Sequence, residues 1–142
     1  MKTLITTLTL ILSGTLMCLA QCDKKSTFTS SHTVYLASNG SVERSVDENV
    51  QIDMDKSDIV ITHGADNEKM TGTLKSLTCD WKTPFKEGKT TLAAILEDKS
   101  GDQRNATIII EGKNGKVTFT LEVEGMQGRK IQVTADRFEE RG

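Results

Sequence analysis

Apolar and polar residues alternate in short runs along most of this chain. Val, Ile and Thr dominate the runs, and clusters of Gly, Asn, Asp and Ser separate them. This pattern is typical of strands that turn back on their neighbours. No segment keeps a helical period for three turns, although 42–49 could form one short helical turn. The pattern predicts strands at 32–37, 48–54, 58–63, 70–81, 89–98, 104–112, 116–124 and 129–138.

The last third of the chain predicts a hairpin whose register follows from its turn. Asn114-Gly115 is a favoured pair for a two-residue type I′ turn, so the residues that flank it should face each other. This register sets Ile110 opposite Phe119 and Ile108 opposite Leu121. Apolar side chains then meet along one face of both strands, which we expect to be the buried face.

The next connection predicts a second register of the same kind. If 125–127 form a three-residue loop, Phe119 lies opposite Val133 and Leu121 lies opposite Ile131. Three consecutive strands then agree on which face contacts water. A slip of one residue in either hairpin would bury charged side chains.

Closure of the sheet follows from the polar outer faces of the predicted strands. About eight such strands favour a small barrel, because closure removes exposed edges. The sequence therefore predicts an all-β fold, an antiparallel meander that closes fully or partly into a small barrel, with a β-sandwich as the alternative. The unbroken apolar run 92–96 fits a strand that is covered on both sides. Within it we expect Ala93 and Ile95 to face the interior.

The start of the chain has the pattern of an export signal. Lys2 precedes a short apolar run at 4–12, and Cys18-Leu19-Ala20 supplies the small residues that signal peptidase reads. The run is shorter than the roughly 20 residues that a membrane-spanning helix needs. We expect a signal peptide at 1–20, a polar tether at 21–31 and a single β domain at 32–142, in a periplasmic or extracellular protein.

Two cysteines remain after cleavage, and two interpretations of Cys22 stay open. In an oxidising compartment, Cys22 and Cys79 most simply form a disulfide that ties the N-terminal segment to a middle strand. Leu19-Ala20-Gln21-Cys22 also resembles the bacterial lipobox, although Gln21 replaces the usual Gly, Ala or Ser. In that case Cys22 carries a lipid anchor and Cys79 is a buried thiol.

Composition narrows the classes of partner. The formal net charge is −2, and charges of both signs are interspersed. Such a chain offers no basic surface for phosphate backbones, so we expect no nucleic-acid partner. Apolar residues make up 36% of the chain and aromatic residues 4%, which allows a modest core.

The inventory of catalytic groups is thin. His63 ends a predicted strand, and Asp66 and Glu68 follow it, so an exposed acid–base pair is conceivable there. A polar strand end before a turn explains the same residues without chemistry. The segment 53–58 imitates the opening of a calcium loop but lacks its Gly and Glu, so a tight turn is expected. We expect no catalytic residue, cofactor or metal.

Trp81, Pro84 and Phe85 form the main aromatic cluster of the sequence. The residue before Pro84 must be extended, so the segment can cross one end of a barrel. There it can line a ligand entrance or plug the end of a short core, and the plug is the simpler interpretation.

The succession of export signal, polar tether and all-β meander resembles small secreted single-domain bacterial proteins of uncharacterised function, some of them lipocalin-like barrels. The resemblance covers the whole chain and rests on architecture. The lipocalin Gly-x-Trp motif is absent near the first strand, and Trp81 lies in a middle strand. The resemblance implies a small barrel, and it transfers no functional residue.

We expect a non-enzymatic barrel that binds a small molecule, a glycan or an envelope protein, with Trp81, Phe85 and His63 as candidate ligand-binding residues. The alternative is an inhibitor or envelope interaction protein that docks through 64–69 or 100–103. A hydrolase that uses His63 is a third hypothesis. An interior filled by apolar side chains would exclude binding there, and a polar lumen would favour it.

Overall fold

The structure, a computed structural model, describes Cys22 and residues 24–141. The predicted signal peptide, 1–20, lies outside the described residues. Within the described part of the chain, no helix is long and apolar enough to cross a membrane. The strands are β1 (Ser26–Leu36), β2 (Val42–Met54), β3 (Asp58–His63), β4 (Glu68–Thr83), β5 (Glu87–Glu97), β6 (Gln103–Lys113), β7 (Lys116–Val123), β8 (Lys130–Thr134) and β9 (Arg137–Glu140).

These strands close into an antiparallel barrel. Each strand from β1 to β7 pairs with the strand that follows it, and β8 pairs with β1 to close the sheet. The extra strand β9 continues the line of β8 and pairs with the other half of β1, at 26–29. The prediction of a meander that closes into a small barrel is confirmed, and the sandwich alternative is wrong. Closure pairs the strands that would otherwise be sheet edges.

Because the strands run alternately up and down, their connections alternate between two ends of the barrel. We call one the upper end and the other the lower end. The upper end carries the connections 37–41, 64–67, 98–102 and 124–129, and the lower end carries 55–57, 84–86 and 114–115.

Both registers predicted for the last third of the chain are confirmed. The type I′ turn forms, with positive φ angles of 54° at Asn114 and 77° at Gly115. Side chains on one face of β6, β7 and β8 alternate into the core as expected. The confirmed pairs are Ile110 with Phe119, Ile108 with Leu121, Phe119 with Val133, and Leu121 with Ile131.

The three-residue loop predicted at 125–127 is wrong. The connection covers 124–129 and consists of two consecutive turns. In the first turn Met126 N donates to Val123 O at 3.1 Å, and in the second Arg129 N donates to Met126 O at 3.1 Å. The regular pairing ends at Leu121 and Ile131, which face each other as predicted, so the register of β7 with β8 is unaffected.

The polar tether predicted at 21–31 is also wrong over its second half, because β1 begins at Ser26. The inward-facing residues there are Ser26, Phe28 and Ser30, all buried. Two of these three are small and polar, so the segment shows no apolar period. It is held as a strand by pairing with β2 on one side and β9 on the other.

Two other strand boundaries differ from those predicted. The strand β2 begins at Val42 and not at 48, because 42–46 pair with the end of β1, so no helical turn forms there. The strand predicted at 129–138 is divided into β8 and β9. Ala135 N still bonds the β7 carbonyl of Val117, whereas Asp136 N bonds the β1 carbonyl of Thr29, both at 2.8 Å. The backbone therefore changes its hydrogen-bonding partner from β7 to β1 between Ala135 and Asp136.

The expectation that Ala93 and Ile95 face the interior is wrong. The core-facing residues of β5 are Leu92, Ala94 and Leu96, which are buried. When every residue of a strand is apolar, the sequence does not show which half of its alternating residues faces the interior. Pairing with β4 and β6 decides it, and the outer set is only half-covered.

A β-bulge in the β1–β2 pair changes which residues of β1 face the interior. Between Ser30 and Thr33, three steps along β1 match four steps along β2. The inward set therefore shifts from Phe28 and Ser30 to Thr33 and Tyr35. This shift places Thr33 and Tyr35 on the inner wall near the upper end.

Candidate functional site

A cavity of about 70 Å³ lies inside the barrel toward the upper end. Apolar side chains of five strands form most of its wall, and polar side chains of β1, β2 and β3 complete it. The apolar part includes Val50, Ile52, Ile61, Phe119, Leu121 and Ile131.

The rest of the barrel interior is filled. Phe28, Ile108 and Ile110 are fully buried, and Phe119 packs against Phe28 with ring centroids 5.8 Å apart. The cavity has about half the roughly 150 Å³ that holds benzene in an engineered apolar cavity, and much less than the usual 300–1,000 Å³ of a ligand pocket. Interior binding is therefore limited to a short apolar group at the upper end.

Thr33 places a polar atom in this apolar wall. The residue is 2% exposed, and its Oγ1 forms no hydrogen bond with any group in the described part of the chain. Leaving a buried hydroxyl without a partner costs about 1–3 kcal/mol. A hydrogen-bonding group that enters the cavity would remove this cost.

Glu48 and His63 complete the polar side of the cavity. The Glu48 side chain is 16% exposed, and its Oε2 lies 3.8 Å from His63 Nδ1. His63 Nε2 lies 4.0 Å from Glu68 Oε2 on its other side. Both separations exceed hydrogen-bond distance, and among the described residues no side chain or backbone group donates a hydrogen bond to the Glu48 carboxylate.

Glu68, in contrast, has a close partner. Lys99 Nζ donates to its Oε1 at 2.7 Å. This hydrogen bond and the positive charge of Lys99 lower the pKa of Glu68. The contact also joins the β3–β4 connection to the β5–β6 connection, so the two loops proposed for docking lie at the same end.

Tyr35 also lines the cavity, and a cation lies against its ring. The Arg44 Cζ is 4.2 Å from the ring centroid, in the geometry of a cation–π contact. The two residues face each other across the β1–β2 pair. Arg44 itself does not line the cavity.

The three residues predicted to bind a ligand do not come together. His63 is at the upper end, whereas Trp81 and Phe85 flank the β4–β5 connection at the lower end. Trp81 is buried, and both rings pack on Phe138, with centroids 6.0 Å and 4.8 Å away. This aromatic cluster fills the lower end of the barrel.

Two facing glycines allow backbone atoms and the indole of Trp81 to approach closely. An added Cβ would overlap the Trp81 Cα at Gly88 and the Lys86 carbonyl oxygen at Gly112. Gly88 of β5 pairs with Gly112 of β6. A Cβ added at Gly88 would lie 2.8 Å from Trp81 Cδ2, and one added at Gly112 would lie 2.9 Å from Trp81 Cζ3. Both distances are shorter than van der Waals contact, so no larger residue fits without a shift.

The predicted disulfide between Cys22 and Cys79 is present, with Cα atoms 6.1 Å apart. The alternative in which Cys79 is a free thiol is therefore wrong. Thr90 Oγ1 lies 3.4 Å from Cys79 Sγ. A disulfide and a lipid on Cys22 exclude each other, because both need the same sulfur atom.

The acidic residues singled out in the sequence have other roles. Of the two acidic residues expected near His63, Asp66 makes no ion pair among the described residues, whereas Glu68 does lie beside the ring, with Glu48 on its other side. Asp55 Oδ1 accepts hydrogen bonds from Ser57 N at 2.7 Å and Asp58 N at 2.8 Å, so 55–58 form the tight turn expected within 53–58. In the described part of the chain, no three His, Cys, Asp or Glu residues are grouped to hold a metal ion.

Sequence reasoning missed Thr33, Tyr35 and Glu48. Glu48 does carry a signal, since it is two residues from Val50 and therefore shares the inner face of β2. Thr33 and Tyr35 carry none, because the bulge in the β1–β2 pair decides which way they point.

Comparison with known proteins adds no constraint on these residues. No protein-family model, no curated protein and no solved structure matches this chain.

Proposed function

We propose that this protein is an exported, non-enzymatic binding module that takes the apolar end of a small molecule into the upper cavity. The observation that carries the proposal is the buried Thr33 hydroxyl, which has no hydrogen-bond partner among the described residues in the wall of an otherwise apolar cavity. Few precisely placed polar groups in an apolar wall are characteristic of ligand sites.

The size of the cavity limits the ligand. About 70 Å³ accommodates a few carbon atoms and not a lipid or a large ring system. The remainder of a larger ligand would have to extend past His63 and Glu48 into solvent. A molecule with a short apolar end inside the cavity and a polar head beside His63 and Glu48 fits this arrangement.

The geometry around His63 supports binding over hydrolysis. General acid–base catalysis needs a base within hydrogen-bond reach of the group it activates. In the described part of the chain, His63 makes no hydrogen bond to a hydroxyl group or a carboxylate, and its two carboxylate neighbours are 3.8 Å and 4.0 Å away. The hydrolase hypothesis therefore ranks below the binding hypothesis.

Two further features bear on export and on the likeness to lipocalin-like barrels, and the support for export is the stronger of the two. A disulfide is typical of proteins that fold in oxidising compartments, which favours export. The likeness to lipocalin-like barrels rests on eight-strand antiparallel closure alone, since the Gly-x-Trp motif is absent near β1.

A titration with 1-butanol, followed by amide chemical shifts of the ¹⁵N-labelled protein, tests the proposal. We expect saturable shifts at cavity residues of β1, β2, β3 and β8. The variant Ile131→Phe, which fills the cavity, should abolish them. Ile109→Phe places the same bulk on the outer face of β6 and should leave them unchanged. Absence of saturable shifts at the cavity, or equal binding by Ile131→Phe, would contradict the proposal.

Docking on another protein through the upper end is a second candidate. It is favoured by the Lys99–Glu68 hydrogen bond, which holds two exposed connections together. Asp98 Oδ1 also accepts hydrogen bonds from Ser100 N at 2.8 Å and Asp102 N at 3.2 Å, so the second connection is well ordered. A native mass measurement of the secreted protein separates the candidates: a small bound mass supports the cavity, and a second polypeptide supports docking.

A further inference from the structure

We propose that the ligand is a primary amine on a short alkyl chain, whose ammonium group is held by Glu48, Thr33 and His63. This inference rests on the proposed function and names the ligand class of the same cavity. Three observations carry it: the charge of the lining, the arrangement of the three side chains, and their burial.

The charge of the lining favours a cation. Among the described residues that line the cavity, Glu48 is the one carboxylate, and none is Lys or Arg. Two cationic side chains at the upper end of the barrel have other partners. Arg44 lies on the Tyr35 ring, and Lys99 donates a hydrogen bond to Glu68. A ligand carboxylate would be repelled by Glu48, and a neutral head would leave the negative charge of that carboxylate uncompensated.

The three side chains lie in a row on neighbouring strands. Thr33 of β1 is opposite Val46 of β2, and His63 of β3 is opposite Val50. Glu48 lies between Val46 and Val50 on the same inner face, so it is a diagonal neighbour of both Thr33 and His63. The acceptors of β1, β2 and β3 therefore converge on one side of the cavity.

A primary ammonium group matches this set. It has three N–H donors and no acceptor, while a carboxylate, a hydroxyl oxygen and the unprotonated nitrogen of a neutral imidazole all accept. Thr33 is 2% exposed and the Glu48 side chain 16%, so both acceptors are shielded from competing water. Charge-assisted hydrogen bonds are strongest in such partly dry sites.

The protonation of His63 must be controlled in any test. Its ring faces Glu48 from β2 and Glu68 from the start of β4, and Glu68 is in turn bound to Lys99. A protonated imidazole would place its own positive charge beside Glu48. Binding is therefore measured at one fixed pH of about 8, above the ordinary range of histidine side chains.

The test compares n-butylamine, 1-butanol and butyrate, which share a short alkyl chain and differ in the head group. Each is titrated into the ¹⁵N-labelled, disulfide-bonded protein at about pH 8. We expect n-butylamine to bind about tenfold more tightly than 1-butanol, and butyrate to bind most weakly. Glu48→Gln should weaken n-butylamine binding about tenfold and change 1-butanol binding by much less, because the alcohol has no positive charge that the carboxylate would compensate.

Asp47→Asn is the matched control. It removes the same charge from the adjacent residue, whose side chain is 94% exposed and bonds His32 on the outer face. It should leave the binding of both probes unchanged. If Asp47→Asn weakens n-butylamine binding as much as Glu48→Gln does, the effect is a general one of net charge and the inference is wrong.

The outcomes separate this inference from the proposed function. Equal binding of n-butylamine and 1-butanol in the cavity overturns the amine assignment and leaves the binding module intact. Binding of none of the three probes overturns both. If Glu48→Gln does not fold, the preference of the unsubstituted protein among the three head groups decides.

Discussion

Trp81 and Thr90 are joined by a buried hydrogen bond at the lower end of the barrel, with Trp81 Nε1 donating to Thr90 Oγ1 at 2.7 Å. The same oxygen lies 3.4 Å from Cys79 Sγ. A disulfide sulfur carries no proton, so the Thr90 hydroxyl donates to it while it accepts from the indole. One threonine thus connects the aromatic cluster to the disulfide.

Thr90→Val should destabilise the protein by about 1–2 kcal/mol, because it removes a buried hydrogen bond at nearly constant volume. Urea unfolding followed by the fluorescence of Trp81 measures the change. Thr91→Val, on the outer face of the same strand, is the control and should shift the midpoint little. Equal effects of the two variants would argue against a special role for Thr90.

Gly112→Ala should also destabilise the protein, by about 1–3 kcal/mol, because the added methyl group overlaps the backbone carbonyl of Lys86 and then the Trp81 ring. In an ordinary strand the same replacement is neutral or stabilising. The sign of the change in thermal stability is therefore the diagnostic measurement. Lys113→Ala, at the exposed neighbouring residue, serves as the control.

Phe119→Ala should cost about 3–5 kcal/mol as a truncation of the core. The side chain is 3% exposed, packs against Phe28 and forms part of the cavity wall. Thr118→Ala, whose side chain points to the other face of β7, should change the free energy of unfolding by less than about 0.5 kcal/mol. An unchanged melting temperature for Phe119→Ala would mean that the barrel interior is assigned to the wrong face.

The disulfide has two measurable consequences, one for the mass of the protein and one for its free energy of unfolding. The non-reduced protein should be two hydrogens lighter than its reduced form, and replacing both Cys22 and Cys79 by Ala should cost about 2–4 kcal/mol. Mass spectrometry and urea unfolding measure the two effects. An acyl group found on Cys22 would show instead that the lipid interpretation is right.

Asp55 should contribute to the loss of folding stability at acidic pH. Its two backbone hydrogen bonds, from Ser57 and then Asp58, lower its pKa in the folded protein. A lowered pKa contributes stability that is present above the unfolded value of about 4 and is lost as the pH falls through the folded value. Asp55→Ala should therefore reduce stability at pH 7 and show a smaller loss between pH 5 and pH 2 than the unsubstituted protein. Parallel unfolding curves at each pH test this, and identical pH profiles would contradict it.

The sequence alone determined the local part of this fold. The type I′ signal at Asn114-Gly115 and the alternation around Phe119 are properties of neighbouring residues, and they predicted both registers from β6 to β8. The pairing of Cys22 with Cys79 was also predictable, because only these two cysteines follow the expected cleavage site. The closed barrel followed from the number of strands with polar outer faces.

The tertiary structure alone decided where the candidate site lies. Thr33 faces the interior because a bulge, set by the pairing of β1 with β2, shifts the inward residues of β1. The run 92–96 has no alternation of its own, so pairing with β4 and β6 chose its inward face. Alternation and turn chemistry act over a few residues, whereas a cavity forms from side chains of strands far apart in sequence, and only their packing shows which of them meet.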